Sequence, residues 1–371
     1  METPHLVLFF TRGISLSSWD RIGGLEREVD IYRHLQRNGV RISFVTYGGI
    51  IEKEYQELIP GIRILCNTWG LRRNIYEKLI PWLHGPTLWG AQIFKTNQTP
   101  GADVALRASR IWRKPLVARC GYMWSALAAS GGEARAQEAC IARKVESHVF
   151  RAAKRVVVTT SEMKDYAVRE YLLPDHKVRV IPNHVLTDLF SPQGTQPVKG
   201  RLCFVGRFSH EKNPLSLIRA CAGLDVELVM VGDGPLKEEI ERVAKDLKVA
   251  LTLIPNTPHR ELPKILRSSE LFLLASPHEG HPKALLEAMS CGLTVIGVDA
   301  PGIREVVKHG ENGWLCSQDV SAIRHSIQYL LANPRLREKL GMQAREFVCK
   351  HFSREKVLAM ELALIREIVR D

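Results

Sequence analysis

Residues 278–292 read HEGHPKALLEAMSCG. Two carboxylates, Glu279 and Glu287, stand eight positions apart, with a glycine, a histidine and a proline close behind the first. On one continuous helix they would lie ~12 Å apart along the axis and could not address one atom. With Glu279 in a loop and Glu287 in a helix, both can face one elongated ligand at different places. A carboxylate is a natural acceptor for paired sugar hydroxyls. The N–H groups and positive dipole at the start of the helix suit a phosphate, and Gly280 lets that backbone come close. A second stretch, VGRFSHEKNP at 205–214, sets Arg207 and Lys212 five residues apart in a glycine-containing loop, where two cations suit a diphosphate. VGDGP (231–235) supplies a glycine turn with Gly232, and APGIREVV (300–307) supplies Glu305 and another glycine. VGDGP is not G-x-G-x-x-G, so it is not read as a dinucleotide site. Each residue alone has a plain explanation as a cap or a solvated surface group. Their common origin at strand ends is what points to a ligand.

That common origin follows from the elements around them. RLCFVGRFS, VELVMVGDGP, LTLIP, LFLLAS and LTVIGVD are apolar strand-like runs. They alternate with the helical stretches PLSLIRACAGL, LKEEIERVAKDL and ELPKILRSS. Such alternation predicts a doubly wound parallel sheet, in which ligands sit beyond the carboxyl ends of the strands. A helix is expected from about Pro282 to Ser290, with Pro282 at its first position, where its missing N–H costs nothing. The first half starts the same way. HLVLFF leads through a loop into a helix from about Leu25 to Asn38, on which Leu25, Val29, Tyr32 and Leu35 recur at helical spacing, and then into VRISFVTYG. KPLVARCGY, AKRVVVTTS and KVRVIPNHV read as later strands of that sheet. The expected fold class is therefore α/β, with two Rossmann-like domains facing across a cleft. The boundaries read are an N-terminal domain at 1–190, a Pro- and Gly-bearing linker at 189–200, and a C-terminal domain at 198–355. An amphipathic C-terminal helix at 353–371 is placed back on the N-terminal domain.

Composition narrows the setting. With 45% apolar and 25% charged residues the chain reads as soluble and globular. No apolar run approaches the ~20 residues that span a bilayer, and METPHLVLFF lacks the basic start of a signal peptide. The eight cysteines include no CxxC pair and read as reduced thiols of a cytoplasmic protein. Net charge is +12. Residues 1–190 carry 27 Lys+Arg against 18 Asp+Glu, and the remainder 25 against 22, so the surplus is mostly in the first half. An anionic membrane surface and an anionic acceptor are the partners this implies, beside a merely solvated surface. Nucleic acid ranks last, for want of zinc-finger spacing or an RNP-type motif. Segment 69–95 mixes Arg72, Arg73, Lys78 and Lys95 with Trp69, Trp82 and Trp89. Leu71, Ile75, Leu79 and Trp82 recur there at helical spacing, which suits either a membrane interface or a core helix with a wet charged face.

In order and spacing, VGRFSHEKN, VGDGP, SPHEGHPKALLEAMSCGLTVIG and APGIREVVKHGENGWL resemble the nucleotide-sugar domain of the family-four retaining glycosyltransferases, which have the GT-B fold. GGLEREV and SEMKDYAVREYLLPDHKVRVIPNHVLTDLFSP resemble, more loosely, parts of that family's first domain. The resemblance implies that Arg207 and Lys212 bind the donor diphosphate and stabilise it as it leaves. It implies that Glu279 holds hydroxyls of the donor sugar and Glu287 those of the ribose. Backbone around Gly280, His281, Pro282 and Lys283 would touch sugar and phosphate, Gly232 would line the donor site, and Gly23 and Gly24 would close over the phosphates. It implies retention of anomeric configuration, with no metal and no cofactor. The chain departs from the pattern at IFKTNQTPG (93–101), where the family often carries a histidine; Asn97 or Gln98 is the candidate lining there. Arg119, Gly121 and Tyr122 of ARCGYMW are further acceptor-side candidates. The function expected is transfer of a hexose from a nucleotide sugar to a glycan or lipid-linked acceptor, in cell-surface polysaccharide or glycolipid synthesis. A nucleotide-sugar epimerase on the same fold and a non-catalytic nucleotide-sugar-binding protein stand as alternatives.

Overall fold

The computed structural model describes residues 3–129, 131–132, 135–194 and 196–370. The chain divides into two compact units, residues 1–182 with 357–371, and residues 183–356.

The first unit is built on seven parallel strands: β1 (His5–Phe9), β2 (Arg41–Val45), β3 (Arg63–Leu65), β4 (Ile93–Thr96), β5 (Leu116–Cys120), β6 (Arg155–Val158) and β7 (Val178–Val180). Their order is β3-β2-β1-β4-β5-β6-β7. Its helices are α1 (Leu16–Arg21), α2 (Leu25–Arg37), α3 (Arg73–Leu83), α4 (Gly85–Trp89), α5 (Ala102–Trp112), α6 (Trp124–Ala129), α7 (Ala136–Ala152) and α8 (Ser161–Tyr171). Parallel strands are covered on both faces, which is why β1 reads as an unbroken apolar run and is buried throughout. One core gathers side chains of α3, α4, α5, α7 and α8 around Val7, Phe9 and Phe94. The other gathers α1 and α2 around Leu6, Leu8 and Ile42. Leu25, Val29, Tyr32 and Leu35 form the buried stripe of α2, as their spacing predicts.

The second unit has six parallel strands, β8 (Arg201–Val205), β9 (Glu227–Val231), β10 (Ala250–Ile254), β11 (Leu271–Leu274), β12 (Thr294–Val298) and β13 (Trp314–Cys316), in the order β10-β9-β8-β11-β12-β13. Around them lie α9 (Pro214–Cys221), α10 (Lys237–Asp246), α11 (Leu262–Arg267), α12 (Lys283–Ser290), α13 (Val320–Ala332) and α14 (Pro334–Phe352). The last helix, α15 (Arg354–Arg370), begins in this unit and belongs from Val357 onward to the first. Val357, Leu364, Ile365 and Ile368 enter the α2-side core of the first unit. There Lys95 Nζ of β4 donates to both Glu361 oxygens at 2.6 Å, with both residues buried.

The boundary between units differs from the one drawn on composition. It falls at Pro182–Asn183, ahead of the 189–200 stretch. Phe190 is fully buried in the second core. Ser290 Oγ donates to Phe190 O at 2.6 Å, and Val198 N donates to Ser268 O at 2.9 Å. The prolines and glycines of that stretch serve a surface path over the second unit, not a free tether.

Candidate functional site

In a parallel sheet every strand ends on the same edge, so the loops after β8, β9, β11 and β12 share one side of the second unit. β8 leads into a loop with exposed Arg207 and then a short helical turn, His210–Lys212. β11 leads through Ser276 to Glu279 and α12. Lys212 Nζ and Glu279 Oε1 are 2.5 Å apart, and the Glu279 side chain is 9% exposed. The carboxylate placed on a sugar and the cation placed on a diphosphate are thus one ion pair. Among the described residues the Arg207 guanidinium has no hydrogen bond or ion pair.

The glycines of this edge fit backbone to backbone. Gly232 has φ 147°, and a Cβ there would lie 2.0 Å from Gly206 O. The VGDGP turn therefore presses directly on the loop that carries Arg207. Gly302 has φ 78°, and a Cβ there would lie 2.3 Å from Glu279 O. Glu279 N donates to Pro301 O at 3.0 Å, so the APGIREVV loop holds the Glu279 backbone from outside.

Helix α12 starts one residue later than expected. Pro282 is its N-cap, with φ −73° and ψ 98° and no side-chain cap, and Lys283 is its first residue. Gly280 is buried, and Lys283 is half-buried. The His281 side chain is committed elsewhere: its Nδ1 accepts from Asn183 N at 3.3 Å and its ring meets Phe352 at 4.8 Å. The His281 carbonyl accepts from Asn183 Nδ2 at 2.9 Å. Glu287 is 3% exposed, which is far from a solvated helix residue. Its Oε1 lies 2.8 Å from Nε2 of His259, itself 2% exposed, whose ring packs at a tilt against Phe190 with centroids 4.8 Å apart. His259 follows β10, in a stretch of sequence with no motif to mark it.

Three buried polar atoms in these loops, Ser209 Oγ, Ser276 Oγ and His259 Nδ1, have no partner among the described residues. Buried polar groups are nearly always satisfied. These three follow β8, β10 and β11; others, such as Thr46 Oγ1 and Thr99 Oγ1, lie in the first unit.

In the first unit, Gly23 and Gly24 lie between α1 and α2, and Gly24 caps α2 without a side-chain acceptor. Glu26 and Glu28 occupy the first turn, where they compete with an anion; Arg27 Nε donates to Glu28 at 3.3 Å and offsets part of that charge. The β4 and β5 loops are tied together. Gly121 N donates to Gln98 Oε1 at 2.7 Å, and Arg119 Nη1 donates to Asn97 O at 3.3 Å. Asn97 Nδ2 donates to Thr11 Oγ1 of the β1 loop at 3.3 Å. The structure therefore brings Asn97, Gln98, Arg119 and Gly121 into one cluster on the carboxyl edge. Tyr122 is half-buried beside it.

The sequence model described as Glycosyltransferase Family 4 matches residues 22–189, and that described as Glycosyl transferases group 1 matches residues 188–347. Between them they account for both units. The chain belongs to the family-four glycosyltransferases. Within that family it is similar to N-acetyl-alpha-D-glucosaminyl L-malate synthase of Bacillus anthracis, 27% identical over 58% of this chain and 60% of that one. It is also similar to the UDP-Gal:alpha-D-GlcNAc-diphosphoundecaprenol alpha-1,3-galactosyltransferase of Escherichia coli, 28% identical over 46% of this chain and 49% of that one. The matches thus span one half to three fifths of these relatives. Sucrose-phosphate synthase of Thermosynechococcus elongatus has the same fold, with a TM-score of 0.82 at 19% identity over 98% of this chain and 99% of that one. Two parallel-sheet Rossmann-like units make this family member a GT-B protein.

Proposed function

We propose that the chain transfers a hexose from a nucleotide sugar to a glycan or lipid-linked acceptor, with retention at the anomeric carbon. The observation that carries this reading is the Lys212–Glu279 pair, beside exposed Arg207 and the uncapped start of α12. Charge develops on the departing diphosphate and on an oxocarbenium-like sugar, so fixed cations and dipoles are the fitting catalyst. When a diphosphate enters, Lys212 exchanges the Glu279 carboxylate for phosphate oxygens. Glu279 is then released to accept from sugar hydroxyls. Arg207, with no protein partner to surrender among the described residues, takes the other phosphate. Glu287 receives the ribose hydroxyls, and Gly23 and Gly24 supply backbone to the phosphates.

The hexose and the lipid-linked acceptor are supported by the name of the Escherichia coli relative, which pairs UDP-Gal with a diphosphoundecaprenol acceptor; the Bacillus anthracis relative is named for L-malate instead. The cations and the helix start neutralise the leaving group without a metal, and no cofactor enters the chemistry. We place the enzyme in the cytoplasm, peripheral to the inner face of the membrane, in cell-surface polysaccharide or glycolipid synthesis. No helix among the described residues is long and apolar enough to cross a membrane.

The test is a panel of nucleotide sugars offered with soluble and lipid-linked acceptors, with and without EDTA, products read by mass spectrometry and anomeric NMR. Glycosylated acceptor of unchanged anomeric configuration, formed equally in EDTA, is expected. Epimerised donor without transfer would make the chain an isomerase. Donor binding without turnover across all acceptors would make it a binding protein.

A further inference from the structure

The positive surplus of the first half has an address. Residues 72–154 hold 14 Lys+Arg against 5 Asp+Glu, while the other residues of 1–190 hold 13 of each. That stretch contains α3, α4, α5 and α7, and α3 packs on α5 and α5 on α7 to form one helical layer. Between α5 and α7 lies a cleft of about 620 Å³ lined by Arg110, Arg143, Lys144, His148 and Arg151, with no carboxylate in its lining among the described residues. Arg143 and Arg151 are oriented by neighbours: Arg143 pairs with Glu170 at 2.8 Å, and Arg151 Nε donates to Tyr171 O at 3.3 Å. Arg110 and Lys144 are exposed.

Beside this cleft the layer turns apolar. Ile75, Leu79 and Trp82 recur along the outer face of α3, and Trp82 is 61% exposed; Trp89 of α4 is 69% exposed. Arg72, Arg73 and Lys78 surround them and are exposed as well. The two regions meet where Trp82 touches Trp112, at the end of the helix that carries Arg110. Arg110 sits in the last turn of α5, and Arg151 just precedes β6. Both therefore lie toward the amino ends of the strands, away from the loops that carry Asn97, Gln98 and Arg119.

We propose that the outer face of α3, α5 and α7 docks on an anionic phospholipid bilayer, with Trp82 and Trp89 at the interface and a lipid phosphate in the Arg110–Lys144 cleft. Tryptophan favours the headgroup level, and cations beside it favour anionic lipid. A solvated basic face alone would not leave two tryptophans and an aliphatic stripe in water. This deepens the lipid-linked acceptor reading and rests on it for its purpose; the binding itself is read without activity.

The full chain is sedimented with phosphatidylcholine vesicles and with vesicles containing phosphatidylglycerol. Pelleting with anionic vesicles only, weakening as salt rises, is expected. Arg110→Glu with Lys144→Glu should weaken it by about tenfold or more. Trp82→Ala with Trp89→Ala should remove the part that resists salt. Glycerol phosphate at millimolar concentration should not compete if a bilayer is recognised; full competition would overturn the proposal in favour of a soluble phosphate site. Thermal unfolding and nucleotide binding, measured on every variant, separate lost docking from lost folding, and nucleotide binding also tests the donor reading separately. Equal recovery in the supernatant with both vesicle types at low salt would overturn the proposal. So would undiminished pelleting after the charge reversals, and selective binding to RNA would reassign the face.

Discussion

His259 Nε2 and Glu287 Oε1 lie 2.8 Å apart, and neither side chain is more than 3% exposed. A buried carboxylate needs partners, and this one is held by a histidine 28 positions earlier in the chain. The pair fixes one oxygen of Glu287. In the proposed reaction the carboxylate is then presented to the ribose in one orientation, which makes His259 a positioning residue.

His259→Ala should therefore raise the KM for donor by about tenfold, with kcat changed less, because ribose contacts are made in ground and transition states alike. His259→Gln, which keeps a donor near Glu287, should recover part of the loss. Calorimetric titration with free nucleotide checks this without turnover. Equal affinity in wild type and both variants would reduce His259 to a packing group.

Removing either cation should act on the chemical step. Arg207→Ala and Lys212→Ala should each lower kcat by about 10²-fold or more, as for loss of a transition-state electrostatic contact. Lys212→Ala also leaves Glu279 without its 2.5 Å partner. Single-turnover rates at saturating donor are the measurement, and near-normal rates in both variants would remove the diphosphate assignment.

Much of this was legible in the sequence because parallel strands are apolar runs and because loops at their ends carry their own glycines and charges. β8, β9, β11 and β12 were readable as strands, and the Arg207, Lys212, Glu279 and Glu287 loops fell on one edge as a consequence. The three-residue strands β3 and β13 are not among the strands read, although β7, equally short, is. β4 hides behind Lys95, whose charge is met by Glu361 from the far end of the chain. His259 was illegible for the same reason, since its meaning is a contact with Glu287 and not a spacing. Gly232, read as lining the donor site, also has a packing reason for its missing Cβ, which would lie 2.0 Å from Gly206 O. Gly232→Ala should thus destabilise the second unit by about 2 kcal/mol or more. Chemical denaturation would measure it, and an unchanged midpoint would remove the packing role.

Two buried histidines contribute to the acid response of the first unit. His5, with Nε2 2.9 Å from Ser43 Oγ, and His84, with Nε2 2.8 Å from Tyr76 Oη, are both lowered from 6.5 to about 4. Burial is the main cause for each, with Arg41 adding to it at His5 and Lys53 at His84. Both bind a proton more readily unfolded than folded. Their contribution to stability is full above pH 6.5 and is lost as pH falls from 6.5 through 4. Thermal unfolding between these limits should show a falling Tm, and His5→Gln or His84→Gln should flatten the slope. Wild-type and variant curves that stay parallel would place the acid sensitivity elsewhere.

The Lys95–Glu361 pair ties α15 to the sheet of the first unit, at 2.6 Å to each oxygen and with both groups buried. Burial lowers the Lys95 pKa, and Glu361 opposes that shift. Removing one partner leaves a charge without compensation in the core. Lys95→Met or Glu361→Leu alone should cost about 3–5 kcal/mol. Replacing both at once should cost much less, because the attraction and the two desolvation penalties disappear together. A double-mutant cycle by denaturant unfolding separates these terms. If the double variant is as unstable as the sum of the singles, the pair has no mutual energy, and α15 is held by its other contacts, Val357, Leu364, Ile365 and Ile368 in the core and Glu367 with Arg155 and Arg179.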